Sequence, residues 1–109
     1  MKKFLVLYES SVPAGEMMAD ATPEQMQAGM DAWQSWAGKA GSGIVDLGSP
    51  VGAGRNVGGS GGGDHVTGFS ILQADSQDDV VKLLDDHPHL QSPGGPSIEV
   101  YEFLEIPGM

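Results

Sequence analysis

Residues 76–106 read SQDDVVKLLDDHPHLQSPGGPSIEVYEFLEI, and this stretch decides the fold. Ser76 is a helix N-cap, because its hydroxyl can accept from a backbone N–H of the first turn. Asp78 and Asp79 follow, where negative charge meets the positive end of the helix dipole. Val80, Val81, Leu83 and Leu84 supply an apolar face. Pro88 limits the helix to about His87, since a proline pushes the preceding residue out of helical conformation. Residues 91–96 form a turn. Ser97 to Ile106 then alternates, with Ile98, Val100, Leu104 and Ile106 on one side and Tyr101 and Phe103 on the other. That two-residue period is a strand.

The same reading extends backward. Asp64 to Gln73 (DHVTGFSILQ) is a strand entering the helix, and Ile44 to Leu47 is a shorter one before it. Between them, eight of the sixteen residues from Gly48 to Gly63 are glycine. Ordering so much glycine is entropically costly, so a mobile flap or a loose hairpin loop is expected. Thr22-Pro23-Glu24-Gln25 opens another helix, with Thr22 as N-cap and Gln25 closing a capping box. It runs to about Ala40 and stops at Gly41-Ser42-Gly43. One face collects Met26, Gly29, Met30, Trp33, Trp36, Ala37 and Ala40. The spacing favours core packing of both tryptophans over stacking on a ligand, and Gly29 would let that face approach a strand closely. Lys2 to Tyr8 (KKFLVLY) is a buried strand, and Glu9 to Ala21 is a loop.

The order is therefore β-α-β-β-α-β. This is the α+β, ferredoxin-like arrangement, an antiparallel sheet with two helices on one face. The first and last strands are apolar on both sides, so the other sheet face should be covered by a second subunit, giving a homodimer.

Composition bounds the function. The 109 residues make one domain, 1–109. Five basic residues against fifteen acidic ones give a net charge of −10, so no patch can neutralise nucleic-acid phosphates or an anionic membrane. There is no cysteine, which excludes disulfides, thiolate metal sites and cysteine nucleophiles. The longest apolar run, Phe4 to Tyr8, is too short to span a bilayer, and Glu9 ends it before any signal-peptide core forms. A cytoplasmic protein is expected.

Topology brings chemistry to one end of the sheet. The loop after Tyr8, the Gly-rich segment, Asp64-His65 and Asp86-His87 should all meet where the first strand ends, with His89 and Arg55 nearby. A histidine beside a carboxylate can serve as a general base. His87 with Asp86, and His65 with Asp64, are the candidate catalytic pairs. Tyr8, Gln25 and Arg55, the only arginine, are candidate ligand contacts. A histidine at a helix end can also simply meet the helix dipole, and His89 can point to solvent. No histidine–carboxylate spacing matches a strong metal motif, so no metal is expected. The glycines do not open a helix after a strand, so they form no nucleotide fingerprint.

The chain resembles YCII-related proteins of the dimeric α/β-barrel superfamily. The resemblance runs through MKKFLVLY, ATPEQMQAGMDAWQSWAGKAG, IVDLGSPVG, GFSILQADS, LLDDHPHL and SIEVYEFLEIPGM. It implies a ferredoxin-like subunit that dimerises through its sheets. Enzyme-like members carry a histidine at the start of the first helix and an aspartate before the proline that follows the second. The matching positions here are Gln25 and His87, and glutamine cannot titrate. The superfamily includes lyases, isomerases and monooxygenases. Two functions follow: a small cofactor-independent enzyme transferring a proton on a small molecule, or a non-catalytic binding or regulatory module.

Overall fold

The computed structural model describes residues 1–59, 65–92 and 94–108. Four strands, β1 (Lys2–Glu9), β2 (Ile44–Pro50), β3 (Val66–Ala74) and β4 (Ser97–Glu102), form one sheet in the order β2-β3-β1-β4. Every neighbouring pair is antiparallel. Helices α1 (Ala14–Asp20), α2 (Pro23–Ala40) and α3 (Gln77–Leu84) complete the fold. Strand order and pairing are those of a ferredoxin-like α+β domain.

Both caps read from the sequence are present. Thr22 Oγ1 accepts from Gln25 N at 3.1 Å, and Gln25 Oε1 accepts from Thr22 N at 2.9 Å. Ser76 Oγ accepts from Asp79 N at 3.2 Å. Phe4, Val6, Tyr8 and Leu72 bury one sheet face against Trp36 and Ala40 of α2 and Val80 and Leu84 of α3. The opposite face alternates as the two-residue period requires, with Leu5, Leu7, Phe69 and Ile71 half-buried and Tyr101 and Phe103 exposed.

Several expectations are corrected. The segment 9–21 holds α1, because Ala14, Glu16, Met17, Met18 and Ala19 are good helix formers. None of its residues is fully buried, and only Ala14 and Met17 are half-buried, so it lies outside the core. Strand β4 stops at Glu102 rather than Ile106. Phe103 N still donates to Lys3 O, but β1 begins at Lys2, so nothing remains to pair with. Leu104 and Ile106 are exposed. Helix α3 ends at Leu84, and β3 starts at Val66. Gly29 meets nothing within 4 Å, and Met26 and Met30 are exposed, so only the C-terminal half of α2 lies in the core. Strand β2 runs past Leu47 to Pro50 and contains two register shifts. Gly48 sits there at φ +81°, where a Cβ would lie 1.7 Å from Phe69 O, so only glycine fits. Of the Gly-rich segment, Gly52 to Gly59 has no regular structure and residues 60–63 lie outside the described residues.

Candidate functional site

Antiparallel pairing explains the convergence at the end of β1. Ser10 N donates to His65 O, which anchors the start of β3 there. The His89 ring Nε2 lies 2.8 Å from Glu9 O and 3.1 Å from Ser97 O. Both are carbonyl acceptors, so Nε2 carries the proton and donates to the end of β1 and the start of β4. His89 is thus buried, not solvent-facing.

His87 is fully buried rather than resting at an exposed helix end. Pro88 starts a new 3₁₀ turn, Pro88–Gln91, and His87 is its N-cap, accepting from His89 N through Nδ1 at 3.0 Å. That bond leaves the proton on Nε2, and Nε2 is buried with no hydrogen-bond partner among the described residues. Around the ring lie Tyr8, stacked at 4.7 Å, and Trp33 and Trp36, each edge-to-face at 4.4 Å. Burial, and secondarily the neighbouring His89, push the His87 pKa down to about 4. The imidazole is therefore neutral at pH 7. It is a hydrogen-bond donor and a poor base.

The expected carboxylate partner of His87 is elsewhere. Asp86 points outward and pairs with Lys39 of α2. The short α3 brings its C-terminal turn beside the last turn of α2, which accounts for that pairing. Asp64 lies outside the described residues. Instead, His65 Nε2 sits 3.2 Å from Glu9 Oε1. Glu9 alternates with Tyr8 and so belongs to the open sheet face, beside Glu99 and Tyr101 of β4. Tyr101 donates to Glu99 Oε2 at 2.9 Å. Burial, then the Glu99 carboxyl beside it, raise the Glu9 pKa, while the hydrogen bonds from Glu9 and Tyr101 lower that of Glu99.

The candidate ligand contacts are differently engaged. The Ser70 hydroxyl donates to Leu47 O at 2.6 Å, so at 2.8 Å it must accept from Tyr8 OH. Burial pushes the Tyr8 pKa up to about 12. Gln25 is occupied by the capping box, and Arg55 is exposed in irregular chain. Two shallow depressions mark the surface near α3. One, about 320 Å³, is lined by Lys39, Ala40, Lys82, Leu83, Asp85 and Asp86. The other, about 180 Å³, lies between α3 and β4 at Val81, Leu84, Leu90, Ile98 and Val100. His87 lines neither. Among the described residues, no group of histidines and carboxylates is arranged to hold a metal, and no helix is long and apolar enough to cross a membrane.

Sequence reasoning missed Glu9, Glu99 and Tyr101. The alternation of SIEVYE does place Glu99 and Tyr101 on one face, but pairing with Glu9 needed the β1–β4 register.

No family model matches the chain, and no curated protein matches it. Among solved structures it is similar to the 5-chloro-2-hydroxyhydroquinone dehydrochlorinase (TftG) from Burkholderia phenoliruptrix AC1100, in complex with 2,5-dihydroxybenzoquinone. The two are 20% identical over 89% of this chain and 90% of that one, with a TM-score of 0.46.

Proposed function

We propose that this chain is a single YCII-related domain, a cytoplasmic homodimer of the dimeric α/β-barrel kind, that handles a small molecule at His87 without an organic cofactor. The observation that carries the site is the His87 Nε2–H, wholly buried and without a partner among the described residues. An unmet buried donor costs roughly 1–3 kcal/mol, and an acceptor on a ligand would recover that. With no carboxylate beside it and a depressed pKa, His87 binds and polarises rather than abstracts a proton. This favours the binding function over the proton-transfer function at that residue.

A thermal-shift screen with a metabolite library tests the reading. Ligands that raise the wild-type melting temperature by several degrees should fail with His87→Phe, which keeps an aromatic ring and removes the donor. If that variant does not fold, the His87 Nε2–H resonance of the wild type serves instead, and it should move when ligand is added. Ligands that act equally on both proteins and leave the resonance unmoved would overturn the site.

Proton transfer has one observation in its favour, the His65–Glu9 pair. In that reading His65 is the base and Glu9 orients it. A library compound that is turned over, with turnover lost and binding kept in His65→Gln, would establish it. The open face of Leu5, Leu7, Phe69 and Ile71 supports the dimer. Light scattering at tens of micromolar, above typical stable-dimer Kd values, should show two chains, and Phe69→Lys should give one.

A further inference from the structure

The groups around His87 differ in how firmly they are held. Tyr8 is fixed by its hydrogen bond to Ser70. The Trp36 indole donates to Leu83 O at 2.7 Å. His89 is fixed by two carbonyls, and it in turn fixes Nδ1 of His87. The imidazole therefore cannot rotate to offer a different atom. Trp33 is the exception. It is only partly buried, and its indole N–H has no hydrogen-bond partner among the described residues. It is held by ring contacts alone, edge-to-face with Tyr8, Trp36 and His87, and such contacts fix a ring less firmly than the hydrogen bonds that hold Tyr8 and Trp36. Beyond Trp33, toward the start of α2, Met26 and Met30 extend the same apolar face into solvent.

The electrostatics select what could replace it. The ring neighbours of His87 are Tyr8, Trp33 and Trp36, all uncharged. Lys39, at the end of α2, is already paired with Asp86 at the surface. A carboxylate or phosphate placed on Nε2–H would lose its hydration without gaining a counter-charge. An uncharged oxygen needs only the one donor.

We propose that Trp33 is a gate, and that the His87 Nε2–H behind it receives the oxygen of an uncharged carbonyl compound whose apolar body lies along Met26 and Met30. This rests on the reading of His87 as the ligand site and adds the gate and the ligand class. The test uses acetophenone and benzoate, which share a ring and differ in charge, followed by NMR of the His87 Nε2–H and by titration. Trp33→Ala should bind acetophenone at least tenfold more tightly than wild type, because the gate no longer competes, and should leave benzoate weak. Trp33→Ala,His87→Phe should lose that gain. If the double variant does not fold, saturation of Trp33→Ala with acetophenone should shift the Nε2–H resonance strongly downfield. Equal binding of both probes, or unchanged acetophenone affinity in Trp33→Ala, would overturn the proposal. His87-dependent library ligands that are all anionic would overturn the ligand class and leave the site standing. Ligands indifferent to His87 would overturn both.

Discussion

His65 and His87 end at the same end of the sheet, but on opposite faces of it. His87 lies on the helix side, sealed among aromatic rings, neutral and with one donor unmet. His65 lies at the rim of the open side, its side chain 63% exposed, beside the carboxyl of Glu9. The two residues that separate these environments, Tyr8 and Glu9, are adjacent in the chain, and the pleat sends them apart. Proximity along a sheet edge therefore does not make a common site. One face surrounds its histidine with uncharged rings, and the other sets a carboxyl beside it.

The largest effect that would break this contrast concerns packing. His87→Ala should cost about 3 kcal/mol of stability, since it empties a fully buried ring position and removes the cap of the 3₁₀ turn. Chemical denaturation checks it, and a cost below about 1 kcal/mol would mean the ring is not packed as described.

Acid sharpens the contrast next. Between the ordinary pKa of 6.5 and the folded value of about 4, the unfolded chain binds a proton at His87 that the folded chain refuses. Stability should therefore fall as pH drops through that window, by roughly 2–3 kcal/mol at most. Denaturation midpoints from pH 7 to pH 4 should show that slope, and His87→Phe should flatten it.

Tyr8→Phe comes third. It removes one buried hydrogen bond while Ser70 keeps its donation to Leu47, so a loss of about 1 kcal/mol is expected by thermal melting. His65→Ala is the smallest. A surface pair of this kind contributes less than about 1 kcal/mol, and the loss should shrink further in high salt.

Much of the architecture was legible because its signals are local. Thr22 with Gln25, Ser76 with Asp79, and the alternation of KKFLVLY and SIEVYE each fix an element within a few residues. The site was legible only as a neighbourhood. The convergence of His65, His87 and His89 follows from strand direction, but their environments depend on contacts such as Glu9–His65 and Lys39–Asp86, which join distant parts of the chain. The burial of His87 had a faint signal in Pro88. A proline can end a helix, and it can equally begin the next turn, with the residue before it as the cap. Nothing in the pattern of 9–21 distinguished α1 from a loop, since a helix without a buried face leaves no periodicity to read.

The outer strands also bear on how copies of this chain could stack into fibrils. Cross-β growth needs a flat strand whose free backbone groups recur at even intervals. Strand β2 denies this with two register shifts in seven residues, a left-handed Gly48 and a closing Pro50. Strand β4 is regular but carries Glu99 and Glu102, with Glu105 just beyond it. In-register stacking would set like carboxylates about 4.8 Å apart along the whole fibril. One edge thus resists templating by shape and the other by charge, and the glycine that looks like a local necessity in β2 also guards the sheet against propagating itself.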